Sequence, residues 1–183
     1  MGDIHLVTGG ARSGKSRYAE MLAADSAREV VYIATMEPGD DELRARIARH
    51  RARRPSHWKT VEAALDVPGA LASISGSATV LLDCLSLWVS NQLFADSDPA
   101  SWDTARFEQF IDRCVANAER LIAAQRGRAG PLIVVTNEVG FGIVPTDALS
   151  RYYRDALGLV NQALASAATH ATLMVSGLSV RLR

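Results

Sequence analysis

The sequence predicts a three-layer α/β fold with a mostly parallel central sheet, formed by residues 1–183 as a single domain. Short apolar segments alternate with longer segments of helical length and periodicity. The apolar segments contain few polar residues, as is typical of strands whose two faces are both buried. A glycine-rich turn joins the first of these strands to the first helix. This alternation indicates βαβ units, whose crossover helices cover both faces of one sheet.

The elements follow from the same alternation. Five apolar runs are predicted to be strands: Ile4–Thr8, Val30–Ala34, Thr79–Asp83, Leu132–Thr136 and Ala171–Ser176. Four intervening segments are predicted to be helices: Lys15–Ala27, Asp41–Arg54, Trp102–Gln125 and Ala148–Ala168. The alternating tail Ser179–Arg183 predicts an edge strand.

The composition excludes several classes of protein. The net charge of +0 gives no reason to expect binding to nucleic acid or to an anionic membrane. The two cysteines, Cys84 and Cys114, form no CxxC pair, which fits a reducing cytoplasm better than a disulfide scaffold or zinc site. No apolar run approaches the roughly 18 residues of a membrane-spanning helix, and the N-terminus does not resemble a signal peptide. We therefore expect a cytoplasmic enzyme or switch protein.

The segment Gly9–Ser16, GGARSGKS, matches the phosphate-binding pattern GxxxxGK[ST] between a strand and a helix. Its members are Gly9, Gly10, Ala11, Arg12, Ser13, Gly14, Lys15 and Ser16. In this pattern backbone N–H groups surround phosphate oxygens, the lysine reaches the β- and γ-phosphates, and the serine can bind magnesium. Only two of the twenty basic residues are lysines, which suggests that a compact ammonium is required at Lys15. The alternative, a glycine-rich turn without a ligand, is less consistent with the complete motif. We therefore expect a P-loop NTPase fold.

Polar residues at two strand ends are further candidates for the site. Asp83 ends the run TVLLD and is predicted to hold magnesium together with Ser16. An alternative role for Asp83 is to cap the next helix or turn. Asn137 and Glu138 end another strand, so their loop is expected to border the substrate. Glu138 either orients a hydroxyl or binds a metal there, or it caps the following segment.

His50 lies in an arginine-rich segment, RIARHRARRP, within the predicted helix Asp41–Arg54. Asp40 or Asp41 is a suitable N-cap, and the helix is expected to end before Pro55. Leu43, Ile47 and His50 fall on one face, which places the histidine at the rim of the packed side. Nearby arginines would lower its pKa and leave a neutral, nucleophilic imidazole. The alternative is a histidine that only completes the edge of the core.

Five segments resemble the bifunctional adenosylcobinamide kinase/adenosylcobinamide-phosphate guanylyltransferase family of cobalamin biosynthesis, and the resemblance runs essentially end to end. The segments are VTGGARSGKSRYAE, YIAT, DDELRARIARHRARRPSHWKTVE, LLDCLSLWVSN and VVTNEVGFGIVP. The P-loop motif is shared with many unrelated enzymes, whereas the pattern RIxxHRxxRPxxWxTxE is far more specific to this family.

The resemblance implies a function and a set of site residues. It implies phosphorylation of adenosylcobinamide by GTP or ATP with Mg²⁺, followed by GMP transfer from GTP to adenosylcobinamide phosphate. His50 would carry the GMP as a covalent intermediate. Nucleotide contacts would come from Gly9–Ser16, from Ala34, Thr35 and Met36, from Arg51, Ala52, Arg53 and Arg54, and from Glu62 and Asp83. The family also implies a homo-oligomer, with a trimer as one candidate.

Two other functions are compatible with the residues alone. One is a small-metabolite P-loop kinase in which His50 is structural and no covalent step occurs. The other is a nucleotide-dependent regulatory switch in which Asn137–Pro145 moves and signals to a protein partner. The phosphate donor and the residues that bind the corrinoid are not determined by the sequence.

Overall fold

The computed structural model describes residues 2–36, 48, 52, 54–95 and 98–183, which form one sheet with helices on both faces. The strands are β1 (Ile4–Gly9), β2 (Val30–Ala34), β3 (Lys59–Glu62), β4 (Thr79–Asp83), β5 (Leu132–Val135), β6 (His170–Val175) and β7 (Leu178–Arg181). The α-helices are α1 (Lys15–Asp25), α2 (Val67–Ser73), α3 (Leu85–Leu93), α4 (Thr104–Arg126) and α5 (Ala148–Ala167). A short 3₁₀ helix covers Pro99–Ser101.

The strand order in the sheet is β3-β2-β4-β5-β1-β6-β7. Every neighbouring pair is parallel except β6 and β7, which are antiparallel. The mostly parallel sheet and the C-terminal edge strand are therefore confirmed. Because the first six strands run the same way, their carboxyl ends lie along one edge of the sheet. This edge carries the P-loop and the end of β4.

Alternate residues along each strand enter two separate apolar cores, as the two-residue period of a strand requires. On one face, Leu6, Leu82 and Val134 pack with helices α2 to α5 around Trp88 and Phe110. On the other face, a second cluster packs beneath α1: Val7, Tyr32, Leu81, Ile133 and Val135, with Ala19, Ala23 and Trp58. The sheet is thus the middle of three layers.

Local signals explain where the helices begin. Asp103 caps α4 by accepting a hydrogen bond from the Arg106 N–H at 2.9 Å. Asp147 caps α5 by accepting from the Ser150 N–H at 2.7 Å, and this bond lowers the pKa of its carboxyl group. Asp66 caps α2, which also has a proline in its first turn. Each aspartate satisfies a backbone donor that has no partner within its helix.

Several elements differ from the sequence prediction. The strand β3 and the helices α2 and α3 were not predicted. β3 is a short edge strand whose side chains are mostly exposed, so it has no apolar run. α3 follows β4 directly and is mainly buried, so its sequence lacks a clear amphipathic period.

The predicted helix Asp41–Arg54 lies largely outside the described residues. Ala48 and Ala52 are helical and exposed, and Arg54, predicted as its last residue, lies in a bend. Among the described residues, no helix combines the length and the apolar character needed to cross a membrane.

Candidate active site

The P-loop joins β1 to α1 with backbone angles that require glycine. Gly9 has φ 147° and Gly14 has φ 98°, both in the region that side chains disfavour. A β-carbon at Gly9 would lie 2.3 Å from the Met174 carbonyl oxygen of the neighbouring strand. The loop is also held from outside, because the Gly177 N–H donates to the Ser13 carbonyl at 2.9 Å. Gly9 and Gly14 are therefore needed for the curvature of this loop.

Lys15 lies across the loop that precedes it. Its ammonium nitrogen donates to the Gly10 carbonyl oxygen at 2.6 Å, and the side chain is buried. Burial lowers the pKa of Lys15, while the neighbouring Cys84 and Asp83 oppose this effect. An ammonium group has three N–H donors, so the contact with Gly10 leaves donors for phosphate oxygens. Contact of Lys15 with the β- and γ-phosphates stays a prediction.

Ser13 supplies independent evidence that the loop is built for a ligand. Ser13 is only 7% exposed, yet its hydroxyl oxygen has no hydrogen-bond partner among the residues that the structure describes. Buried polar groups are almost always paired, and an exception calls for an explanation. A phosphate oxygen held by the loop is a suitable partner for this hydroxyl.

Asp83 lies at the carboxyl end of β4 and faces the same side of the sheet as the P-loop helix. Its Oδ2 accepts a hydrogen bond from the Tyr32 hydroxyl at 2.9 Å. Asp83 is not the N-cap of α3, because Cys84 occupies that position. The charge of Asp83 also raises the pKa of Lys15, against the larger lowering by burial. The magnesium role of Asp83 stays a prediction.

The donors at this edge fit magnesium. Ser16 lies in the first turn of α1 and Asp83 is half-buried, so a hydroxyl and a carboxylate oxygen are available. The described residues contain no group of three or more His, Cys, Asp and Glu side chains that could hold a metal by themselves. Magnesium usually keeps several waters and binds through one or two protein oxygens plus substrate phosphates, so a sparse oxygen set is suitable.

The segment at the end of β2 was predicted to contact nucleotide through Ala34, Thr35 and Met36. Thr35 is fully buried, and its hydroxyl donates to the Cys84 carbonyl at 2.9 Å and accepts from the Cys84 N–H at 2.9 Å. The Asn91 side chain donates to the Thr35 carbonyl at 2.7 Å. Thr35 therefore ties the end of β2 to the start of α3. Ala34 and Met36 are half-buried, and contact of these three residues with a nucleotide stays a prediction.

Two residues from the specific segment of the family lie beside the end of β2. Arg54 stacks on Tyr32, with the guanidinium carbon 3.7 Å from the ring centroid, and its Nη1 donates to Thr60 Oγ1 at 3.2 Å. Glu62 is exposed at the end of β3 and pairs in register with Ala34. The predicted His50, Arg51 and Arg53 lie outside the described residues.

Comparison with known proteins places the chain in a family. The sequence profile described as "Cobinamide kinase / cobinamide phosphate guanyltransferase" matches residues 5–182. The chain belongs to this family. The matched region covers the described sheet from the second residue of β1 to the end of β7, so it includes the P-loop and Asp83.

Relatives of known sequence match this family member over nearly the full length of both chains. The "bifunctional adenosylcobalamin biosynthesis protein CobU" of Escherichia coli (strain K12) is 48% identical, covering 97% of this chain and 98% of the relative. The protein of the same name from Salmonella typhimurium is 46% identical over the same shares. CobP from Pseudomonas aeruginosa, also described as a bifunctional adenosylcobalamin biosynthesis protein, is 44% identical, covering 97% and 96%.

One solved structure is similar to this chain in its fold alone. A type III secretion system ATPase superposes with a TM-score of 0.54 at 12% identity, covering 99% of this chain and 57% of that structure. This agrees with the predicted three-layer P-loop NTPase fold.

The family member also contains polar contacts that the sequence did not reveal. The Asn137 side-chain amide donates to Ser86 Oγ at 2.8 Å, which links the end of β5 to α3. The Glu138 N–H donates to the Gly9 carbonyl at 3.1 Å, while its Oε1 accepts from the Gly140 N–H at 2.7 Å. Glu138 therefore caps the next turn, one of its two predicted roles. The sequence prediction placed Tyr32 in an apolar strand and gave it no role in the site. A buried tyrosine hydroxyl usually has a hydrogen-bond partner, so its side chain could have indicated a polar contact.

Proposed function

We propose that this protein performs two successive reactions on adenosylcobinamide. First, a nucleoside triphosphate phosphorylates the aminopropanol hydroxyl; then GMP from GTP is transferred to the resulting phosphate. The observation that carries the proposal is a complete P-loop site within a chain that matches the cobinamide kinase and guanyltransferase family over residues 5–182. Relatives that match over nearly their full length are named as bifunctional enzymes of adenosylcobalamin biosynthesis.

The phosphorylation depends mainly on positioning and on stabilising negative charge. The P-loop N–H groups and the Ser13 hydroxyl hold the phosphate oxygens, and the buried Lys15 ammonium balances charge that develops on them. Ser16 and Asp83 would hold Mg²⁺, which neutralises charge on the β- and γ-oxygens when bound. GTP is the proposed nucleotide, with ATP as an alternative phosphate donor.

The GMP transfer uses His50 as a nucleophile. A nitrogen of the neutral imidazole attacks the α-phosphorus of GTP, the bond to the bridging oxygen breaks, and pyrophosphate leaves. A phosphate oxygen of adenosylcobinamide phosphate then attacks the same phosphorus. The phosphorus–nitrogen bond breaks, which yields adenosylcobinamide-GDP and restores the histidine. An arginine cannot replace it, because a guanidinium has no lone pair available for attack.

The loop between β5 and α5 is proposed to bind the corrinoid. Phe141, Ile143 and Val144 are 86%, 97% and 60% exposed, which is unusual for large apolar side chains on one loop. The loop begins beside the P-loop, where the Glu138 N–H donates to the Gly9 carbonyl. A large, partly apolar macrocycle resting on these side chains would hold its aminopropanol arm near the transferred phosphate. We further propose that the enzyme is cytoplasmic and homo-oligomeric and that it binds no nucleic acid.

The reaction sequence can be tested with the purified wild-type protein and two labelled forms of GTP. With GTP labelled at the α-phosphate and no acceptor, we expect label to remain on the denatured protein. With GTP labelled at the γ-phosphate, the label should instead move to adenosylcobinamide. Product formation without any protein-bound α-label would contradict the covalent route and favour direct transfer. Absence of any corrinoid product, with hydrolysis stimulated by a protein partner, would favour the regulatory switch.

Replacing both Phe141 and Ile143 with serine tests the corrinoid loop. Each apolar side chain contributes about 1.5–3 kcal/mol when fully buried, so the KM for adenosylcobinamide should rise at least about tenfold. GMP labelling of the protein without acceptor should be unchanged, because that step does not use the corrinoid. Leu159→Ser on α5 is the matched control, since Leu159 is also exposed, at 42%. An unchanged KM in the double variant would refute this role of the loop.

A further inference from the structure

Tyr32 lies between two charged groups of the site. Its hydroxyl donates to Asp83 Oδ2 at 2.9 Å. The Arg54 guanidinium stacks on its ring, with the guanidinium carbon 3.7 Å from the ring centroid. The side chain is buried, at 3% exposure, in the core beneath α1. One rigid ring therefore contacts both the carboxylate proposed to hold magnesium and an arginine of the segment that contains His50.

The hydroxyl contact leaves Asp83 able to bind a ligand. The hydroxyl engages one carboxylate oxygen of Asp83, so the other oxygen can still face a metal ion or water. The ring engages the flat face of the Arg54 guanidinium by a cation–π interaction, and Nη1 of the same guanidinium donates to Thr60 Oγ1 at 3.2 Å. Tyr32 thus contacts both charged groups and helps to fix the orientation of each.

The register of the sheet brings these two side chains together. Tyr32 of β2 pairs with Leu81 of β4, and the next residue on that face of β4 is Asp83. The hydrogen bond between the Tyr32 hydroxyl and Asp83 Oδ2 therefore follows from the order and register of two neighbouring strands.

We propose that Tyr32 is a positioning residue that orients Asp83 toward magnesium and Arg54 toward the nucleotide phosphates. The proposal rests on the phosphoryl- and guanylyl-transfer function proposed above. Tyr32 would thereby connect the P-loop half of the site with Arg54, which follows His50 by four positions in the sequence.

Tyr32→Phe tests the first contact, because it removes the hydroxyl and keeps the ring. The affinity for a non-hydrolysable GTP analogue is measured by calorimetry, with Mg²⁺ and with a chelator. Magnesium is expected to increase the affinity of the wild type for the analogue. In Tyr32→Phe this increase should be about tenfold smaller, because a hydrogen bond to a charged group is lost. The affinity in chelator should be unchanged, and the kcat for phosphorylation at saturating Mg²⁺ should stay close to that of the wild type.

Tyr32→Leu tests the second contact, because it removes the ring as well. The affinity in chelator should now also fall, by about threefold to tenfold, since Arg54 loses its cation–π support. Adding Arg54→Ala to Tyr32→Leu should cost less than Arg54→Ala costs in the wild type, as coupled residues require. Full additivity of the two substitutions would refute the Arg54 part of the proposal.

Tyr152→Phe is the matched control, because Tyr152 stacks on Phe107 at the interface of α4 and α5 with a centroid distance of 4.0 Å. It should behave as the wild type in every assay. If Tyr32→Phe lowers the melting temperature but keeps the wild-type magnesium response, Tyr32 is only structural and the proposal is wrong. A wild-type protein that binds the analogue but never modifies the corrinoid would overturn the proposed function instead, and the binding test of Tyr32 would still stand.

Discussion

Lys15→Ala is expected to reduce the rate of adenosylcobinamide phosphorylation by about a hundredfold to a thousandfold. This is the usual effect of removing one hydrogen-bond donor that stabilises negative charge in the transition state. Lys15 is buried within the P-loop, so water replaces its ammonium poorly. Steady-state kinetics with γ-labelled GTP would measure this loss. The affinity for GTP should also fall, because the β- and γ-phosphates lose a charge-assisted contact.

Two further variants make the result specific. Lys59→Ala removes the chain's other lysine, which is 73% exposed and pairs with Glu29 at 2.7 Å on the surface, so its activity should remain close to that of the wild type. Lys15→Arg keeps the positive charge but introduces a larger, planar group into a loop already closed by the contact with Gly10. We expect it to remain impaired. Wild-type phosphorylation by Lys15→Ala would refute the P-loop assignment.

His50→Asn is expected to abolish GMP transfer and leave phosphorylation measurable. Asparagine keeps a polar side chain of similar size but lacks the imidazole nitrogen that attacks phosphorus. After incubation with α-labelled GTP and Mg²⁺, the wild-type protein should retain label through denaturation. As expected of a phosphoramidate, the label should be lost in acid and kept in base. The variant should carry no label and form no adenosylcobinamide-GDP.

His57→Asn is the matched control for this experiment. His57 is exposed in the turn before β3 and lies only seven positions from His50 along the chain. It should keep the wild-type label. Label that persists in His50→Asn and disappears in His57→Asn would transfer the role of nucleophile to His57. Loss of both activities in His50→Asn, with normal folding, would show that the segment also serves the P-loop reaction.

The sequence predicted most of the sheet because the predictive signals were local. Five of the seven strands coincide with apolar runs, and the edge strand β7 follows the alternating tail. The elements that were missed lack such a signal. The exposed β3 depends on pairing with β2, and α3 is buried on too many sides to show an amphipathic period.

Arg128 is a single side chain whose environment also depends on the tertiary structure and has no local signal in the sequence. In the sequence it lies between the predicted helix Trp102–Gln125 and the predicted strand Leu132–Thr136, where no helix or strand is predicted. In the structure it is 8% exposed, and its guanidinium donates to four backbone carbonyls, those of Leu71, Ile74, Ser75 and Ala78. A charged residue is seldom buried in this way, and only the fold shows which carbonyls lie near enough to accept hydrogen bonds from its two terminal nitrogens.

For the candidate site, the sequence by itself determined the P-loop, since a strand end, two constrained glycines and a lysine act within eight consecutive residues. The role of Tyr32 depends on the tertiary structure, because its hydrogen bond with Asp83 joins residues that are 51 positions apart. That bond exists because β2 and β4 are neighbours in a register that places both side chains on one face. Local backbone requirements are thus visible in a motif, whereas contacts between distant strands arise only when the sheet sets their order and register.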